Sequence, residues 1–509
     1  MREAVFATNF TAVDWVIVAL YLSMSVAIGL FANRFIARLS DYLVAGRGLK
    51  IYLAVATMTG TELGLVTVMY NAEQGFIGGF AGFHIGVVWS LACLAVGLTG
   101  LIVYKLRKAR VMTIPEYYEQ RFGKRVRWLG GVVLAFSGIL NMGLFLQAGS
   151  RFVIGVTGLE PGSAAVKWVM TLMLLLVLLY TTLGGMVSVV ITDYLQFVVL
   201  SAGMAIITVL ATTQVGWENL FRVPLEHLGE RGATWFNPLA SQEYGLTYLI
   251  WMVFISLSAV TLWQSATLRA LSAQSPQVAQ RLYAWSSITF LARVIIPMFW
   301  GICAYVFVVQ NPVLRERFFP ANPAQALSSQ YAMPIFLAKI LPTGLLGLVV
   351  AGMMAAFMST HDSYLLCWSA VLTQDIIAPL CRRPLSDRAR ILLTRIWIVL
   401  IGVFLLIWGL WYEAPVSLWN YMAGTGTIYL AGAFAVIVGG LYWKRASSTG
   451  ALIAILCGLC AVPTIIPGAM ERLALTDKEI AVLTFILCGV GMVVGSLLFP
   501  DRPKEEEGS

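Results

Sequence analysis

A chain of 509 residues with 59% hydrophobic and 12% charged residues carries about half the charge of a soluble domain. It has more apolar surface than one core can hide, so lipid must serve as part of its solvent. The formal charge of +9 does not point to nucleic acid. The basic residues sit in short loops between apolar runs, as in membrane proteins, which hold such residues on their cytoplasmic side.

Stretches of about 20 apolar residues, each able to cross roughly 30 Å of hydrocarbon, recur along nearly the whole sequence. Strands of a barrel would alternate and be half as long. The pattern predicts an all-α polytopic membrane protein with thirteen spans, at 13–32, 53–75, 77–103, 127–157, 165–183, 186–213, 244–268, 280–310, 343–375, 391–411, 416–442, 449–467 and 480–499. The first is not read as a cleaved signal, because Glu3 and Asp14 flank it and no small-residue cleavage site follows. The longest loops, 214–243 and 311–330, have room for short surface helices, and the tail Glu505–Ser509 reads as disordered. With the N-terminus outside, the inside segments hold 23 Lys and Arg and the outside segments 8. This bias predicts an outside N-terminus and a cytoplasmic C-terminus in a cell (inner) membrane.

Enzyme chemistry finds little support. No H-E-x-x-H, G-x-S-x-G or Walker pattern occurs in a suitable context. His84 and His361 are isolated and read as satisfied polar groups. The seven cysteines lie almost entirely within spans and show no loop pairing. Cys457 and Cys460 form a lone C-x-x-C, which a metal site would supplement with a second pair or a histidine; they read as small packing residues.

Polar groups inside the bilayer are expensive, at least about 2.5–3.5 kcal/mol for a charge at the centre, so each asks for a reason. In the second span, Val55-Ala56-Thr57-Met58-Thr59-Gly60-Thr61-Glu62-Leu63-Gly64 is crowded with Thr and Gly, which weaken a helix. A broken helix there exposes carbonyls that can coordinate Na⁺. Glu62 either accepts hydrogen bonds from solute hydroxyls or pairs with a buried arginine such as Arg151 or Arg293. Asp193, at the start of the sixth span, is a cation ligand or a helix-terminal acid. In the ninth span, Ser359, Thr360 and Ser363 have spacings that let hydroxyls share one helix face. They suit either an alkali cation, which takes neutral oxygens, or helix–helix packing.

Five segments in order then resemble the sodium:solute symporter family. They are Ser40-Asp41-Tyr42-Leu43-Val44-Ala45-Gly46-Arg47; Thr113-Ile114-Pro115-Glu116-Tyr117 with Arg121-Phe122-Gly123; Gly184-Gly185 through Val189, Thr192-Asp193 and Gln196; Leu341-Pro342, Gly344 and Gly347 leading to Met358-Ser359-Thr360 and Asp375; and Gly440-Leu441-Tyr442-Trp443-Lys444-Arg445 with Gly450-Ala451. The resemblance runs from about residue 13 to 465. It implies a LeuT-like fold of two inverted five-helix repeats with extra flanking helices. Its boundaries here are an N-terminal helix and loop at 13–52, repeats at 53–213 and 244–442, C-terminal helices at 443–499 and a tail at 500–509. It also implies a main sodium site, with ligands from the carbonyls of Val55, Met58 and Ala356 and the hydroxyls of Ser359 and Thr360. Some members have a second sodium site at the aspartate matching Asp193, which Thr360 and Ser363 would join.

The expected function is sodium-coupled symport by alternating access, with partners limited to sodium, a small organic solute and the lipid bilayer. Candidate solute contacts are Thr57, Glu62, Trp263, Gln264 and the Asn420–Thr427 stretch, with Asn420 and Thr425 at its head. Sugar-transporting members have a glutamate where this chain has Ala81 and an aspartate–glutamine pair where it has Trp263-Gln264, followed by Arg269. A central Glu62 favours a sugar or polyol. A carboxylate, sialic acid or amino acid is the alternative, using Arg151. A membrane sensor or channel on the same scaffold is the reading from another class.

Overall fold

The computed structural model describes residues 5–32, 47–159, 164–227, 236–241, 243–412 and 416–501. Residues 40–46 of the first family-like segment and the tail after 501 lie outside the described residues, as do the side chains of 183–192, 195 and 196. The described chain is helical throughout, with one isolated bridge between Leu49 and Ala273 as its only extended pairing.

The helices are α1 (Ala12–Ala32), α2 (Ile51–Glu62), α3 (Leu65–Gly78), α4 (Phe83–Thr99), α5 (Val103–Lys108), α6 (Ile114–Phe122), α7 (Lys124–Met142), α8 (Phe145–Thr157), α9 (Ala164–Val215), α10 (Trp217–His227), α11 (Leu246–Leu262), α12 (Gln264–Ser272), α13 (Pro276–Gln310), α14 (Pro312–Phe318), α15 (Ala332–Ile340), α16 (Leu345–Val371), α17 (Asp387–Trp411), α18 (Leu418–Tyr442), α19 (Ser448–Cys457), α20 (Ala469–Leu473) and α21 (Asp477–Leu498). Short helices α10 and α14 lie within the two long loops. All seven cysteines are free, and Cys460 is exposed rather than packed.

Among the described residues nine helical runs are long and apolar enough to cross a membrane, or ten with the bent pair α11–α12. The thirteen expected spans are therefore not all seen as separate runs. The run 65–99 counts once by composition, yet its packing on α13 shows a reversal. Gly75 meets Met298 and Phe76 meets Tyr305, whereas Gly86 meets Val294 and Gly97 meets Ala284. The chain turns at Gly79, whose φ of 57° is open to glycine. The spans expected at 165–183 and 186–213 appear as one 52-residue helix, α9. Gly184-Gly185 sits inside its helical run, since glycine weakens a helix without obliging it to end.

Among the described residues two spans are interrupted by an extended residue. α2 ends at Glu62 and α3 begins at Leu65, with Gly64 extended at φ −82°, ψ 165°. α11 gives way to α12 at Trp263, φ −68°, ψ 121°, with a bend of 41°. Interrupting a helix in the bilayer frees backbone groups that protein must satisfy. A threonine hydroxyl helps at each break. Thr67 Oγ1 donates to the Glu62 carbonyl at 2.9 Å, and Thr267 Oγ1 lies 3.0 Å from the carbonyls of both Thr261 and Trp263.

Small residues set the closest packing. A Cβ on Gly75 would stand 1.9 Å from the Met298 carbonyl oxygen, and one on Gly301 1.9 Å from that of Ala72. The backbones of α3 and α13 thus touch without side chains between them. At the N-terminal side of α16, Asp14 of α1 accepts the N–H groups of Gly344 and Gly347 at 2.7 Å each, placing a negative charge where the helix start favours it.

Candidate functional site

Beside the first break lies a cavity of about 70 Å³. Six aromatic residues line it, Tyr70, Trp89, Trp263, Phe290, Tyr364 and Trp419, beside aliphatic ones such as Ile255, Val260 and Leu430. Its charged groups are Glu62 and Arg293, with Asn141 as a neutral polar partner. Rings close it on two sides. Tyr70 and Trp419 are 5.0 Å apart by their centroids. The Trp263 indole donates to the Tyr364 hydroxyl at 2.7 Å.

Glu62 is the last residue of α2, so its carbonyl lacks a helical donor. Arg293 of α13 answers both ends of it. Nη1 donates to the Glu62 carbonyl at 2.7 Å and to Oε2 at 3.1 Å. Ser265, in the first turn of α12, donates to Oε1 at 2.9 Å. The Arg293 guanidinium stacks over Phe290 at 3.9 Å and faces Trp89 at 5.4 Å, as arginine does on aromatic faces. Among the described residues Arg293 Nε and Asn141 Oδ1 have no hydrogen-bond partner. Both belong to cavity-lining residues, and a buried polar atom left unpaired is costly.

The second feature is a buried polar cluster between α2, α9, α12 and α16. Asp193 is fully buried. Its Oδ1 accepts the Ser359 hydroxyl, and its Oδ2 accepts Thr57 Oγ1 at 2.5 Å and Thr61 Oγ1 at 2.9 Å. Arg269 of α12 pairs with Oδ2 at 3.4 Å and donates to Ser363 Oγ at 2.8 Å, to Thr61 Oγ1 and to the Ser265 carbonyl. Two buried opposite charges thus satisfy one another within a set of hydroxyls, the condition under which such charges are tolerated. Next to them, Thr360 Oγ1 lies 3.3 Å from the Thr61 carbonyl and 3.0 Å from that of Ala356. A Cβ on Gly64 would stand 1.9 Å from Thr360 Oγ1, so the glycine at the break admits this hydroxyl. Hydroxyls and freed carbonyls are oxygen donors of the kind a hard monovalent cation takes in place of water.

The structure brings together some of the residues expected from sequence and separates others. Ser359, Thr360, Ser363, Asp193 and Ala356 share one buried region, and neither Ser359 nor Thr360 faces lipid. Val55 and Met58 lie within the helical run of α2. The carbonyls released by the break belong to the last turn, Gly60 to Glu62, because only a helix's final carbonyls lose their donors. Glu62 and Trp263 line the cavity. Thr57, Gln264, Asn420 and Thr425 do not. The Thr57 hydroxyl is spent on Asp193, Asn420 donates to Asp477 at 2.8 Å, and Thr425 accepts from Asn141 at 2.8 Å. Gln264 is buried in α12. From the Asn420–Thr427 stretch it is Met422, Ala423 and Gly426 that reach the cavity. Arg293, not Arg151, is the partner of Glu62; Arg151 donates to Gln330 at 2.7 Å. Sequence reasoning did not single out Tyr70, Trp89, Asn141, Tyr364 or Trp419, and it treated Arg269 only as a departure. Arg269 falls one residue past the seventh span expected at 244–268, among the loop cations, so the sequence carried no signal for it. His84 and His361 each place Nδ1 on a backbone carbonyl, of Ala81 at 2.6 Å and Phe357 at 2.8 Å.

The sequence profile of the Sodium:solute symporter family matches residues 42–458. The sodium/mannose cotransporter of Bos taurus is 28% identical over 545 residues, covering 97% of this chain and 87% of the relative. The sodium/sialic acid symporter of Proteus mirabilis is 23% identical, over 89% of each chain. Among solved structures, the substrate-bound outward-open state of a sodium-coupled sialic acid symporter superposes with a TM-score of 0.78 at 18% identity, covering 97% of this chain and 99% of that one. MhsT in complex with L-phenylalanine gives 0.54 at 14% identity, over 87% and 97%. At such identities the structures speak for the fold, an all-α LeuT-like arrangement with inverted repeats. The profile spans most of the sequence, and it supplies the identity: the chain belongs to the sodium:solute symporter family, multi-pass membrane proteins that couple sodium to a small solute and are not enzymes.

Proposed function

We propose that the chain imports a small hydroxylated solute, a sugar or polyol, together with sodium, from the side of its N-terminus to the cytoplasm. The observation that carries this reading is the Glu62–Arg293 pair inside an aromatic-walled cavity. The pair is balanced in charge, so a neutral solute can exchange hydroxyls with both partners and leave no charge unpaired. Arg293 Nε and Asn141 Oδ1 offer one further donor and one further acceptor. Aromatic rings suit the apolar faces of a sugar while polar groups take its rim. The mannose cotransporter relative fits the same class.

Sodium binds in this reading where the Thr61 and Ala356 carbonyls meet the hydroxyls of Ser359 and Thr360, bridging the first broken span to α16. Val55 and Met58 join the ligand set only if α2 unwinds by a further turn. The Asp193–Ser363 pair is the place for a second ion, in competition with Arg269. Bound sodium favours the state open to the outside. Solute then binds in the cavity, and the helical bundle around it rocks. A potential of about 100 mV contributes roughly 2.3 kcal/mol per charge, about 50-fold accumulation per sodium at about 1.4 kcal/mol per decade.

A carboxylate solute is the second reading, favoured by the free Arg293 Nε and by the sialic acid symporter relative. It would compete with Glu62 for the guanidinium. A thermal-shift screen of sugars, amino acids and carboxylates, with and without sodium, decides between them. Sodium-dependent stabilisation by a neutral sugar supports the proposal. Stabilisation by carboxylates alone overturns the choice of solute.

A further inference from the structure

Glu73 lies on α3, close to one turn beyond Tyr70, and is only 5% exposed. Its Oε1 accepts the Ser329 hydroxyl at 2.8 Å. Its Oε2 accepts the Leu418 backbone N–H at 3.2 Å and the Gln330 amide at 3.4 Å. Among the described residues no lysine or arginine stands within ion-pair distance of it, and Arg151 is engaged through Gln330. A carboxylate buried on neutral donors needs a reason.

Leu418 opens α18. A helix start carries unpaired N–H groups and partial positive charge, and α18 has no acidic residue in its own first turn. Glu73 brings to this terminus, from another helix, the anion it lacks. Its neighbours lie on the same seam. Gln74 Nε2 lies 3.4 Å from Ser417 Oγ, and the Tyr70 ring packs on Trp419. Tyr70 and Trp419 wall the solute cavity, so Glu73 fastens α3 to α18 just beyond the rings that cover it.

We infer that Glu73 is the clasp of the outer gate, a positioning residue that sets how readily the α3–α18 seam parts to admit solute. The inference rests on the proposed orientation, in which α3 runs outward from the break. Solute arriving from outside must separate Tyr70 from Trp419, and that separation pulls the carboxylate off Leu418 and Ser329. Charge-assisted bonds of this kind are stronger than neutral ones. Removing the charge therefore shifts the population towards the outward-open state.

The test uses the full chain in right-side-out vesicles, with Met422→Cys as a cavity reporter and the chain without that change as background. A membrane-impermeant thiol reagent is applied outside, without solute. Glu73→Ala is expected to label about tenfold faster than its parent, Glu73→Gln at an intermediate rate, and Ser329→Ala slightly faster than the parent. In uptake, Glu73→Gln is expected to lower both the external sodium giving half-maximal rate and the maximal rate; a merely structural loss would reduce only the maximal rate. Unchanged labelling and unchanged sodium half-saturation in Glu73→Gln and Ser329→Ala overturn the clasp, as does acceleration only from the inner face. Faster outside labelling in a parent whose uptake ignores sodium upholds the clasp and removes the proposed coupling instead.

Discussion

Thr360 and Thr61 meet where the first broken span ends: the Thr360 hydroxyl of α16 stands 3.3 Å from the Thr61 carbonyl of α2, with Gly64 leaving it room. Two elements far apart in sequence thus present oxygen to the same small space.

Removing either hydroxyl of the sodium region should weaken ion binding without altering the cavity. Ser359→Ala and Thr360→Ala are each expected to raise the sodium concentration for half-maximal uptake about tenfold, which is about 1.4 kcal/mol. The order of preference among solutes should stay as it was. Uptake into proteoliposomes over a sodium series measures both. An unaltered sodium requirement would falsify the assignment.

The Asp193–Arg269 pair makes a prediction about stability. Arg269→Met leaves a buried carboxylate without its cation, and breaking such a pair costs about 3–5 kcal/mol. The double change Asp193→Asn with Arg269→Met removes both charges and should recover much of that loss, because the two residues act as a unit. Thermal melts in detergent of the parent, Arg269→Met, Asp193→Asn and the double variant test it. Additive losses would count against a directly coupled pair.

The cavity pair should govern solute and spare the ion. Glu62→Gln keeps the shape but takes the counter-charge from Arg293. A rise of at least about tenfold in solute KM is expected, of the order associated with losing a charged hydrogen bond, with sodium half-saturation within about twofold. Trp263→Ala should act in the same direction by opening one wall. Equal effects on solute and sodium in Glu62→Gln would mean that the residue serves the fold alone.

Glycine substitutions separate tight helix contacts from loose ones. Gly75→Ala and Gly301→Ala each drive a methyl to 1.9 Å from a backbone oxygen, and overpacking of this sort costs about 1–3 kcal/mol or more. Gly203→Ala on α9 meets nothing within 4 Å and should be neutral or stabilising, since alanine favours a helix by about 1 kcal/mol. Melting temperatures of the three variants decide; a loss at Gly203 equal to that at Gly75 would contradict the packing described.

The membrane class and the first break were legible in the sequence, because hydrophobic length and the Thr–Gly run around Gly60 are local properties. The second break was not. Trp263 is flanked by neither glycine nor proline, and the Thr267 hydroxyl that helps hold it open gives no periodic signal. The hydroxyls proposed for the ion were also visible at Ser359 and Thr360, but the face each side chain takes was not. Thr57 and Thr425 look equally suitable for solute in the sequence, yet in the fold one serves Asp193 and the other Asn141. The aromatic wall escaped notice for a related reason. Tyr70, Trp89, Tyr364 and Trp419 come from four separate helices, and nothing local marks their convergence. The choice of Arg293 over Arg151 for Glu62 likewise depends on which helices become neighbours.

The interlock of α3 with α13 at Gly75 and Gly301 limits how the transporter can work. Two backbones meshed so closely cannot slide independently, so the α3 half of the broken span and the arginine-bearing helix travel as a single rigid lever. The guanidinium of Arg293, carried on that lever, reaches across the break to the carbonyl and carboxylate of Glu62. That salt link is therefore the tether between the lever and the end of α2, and a cargo that loosens it uncouples the two halves of the span.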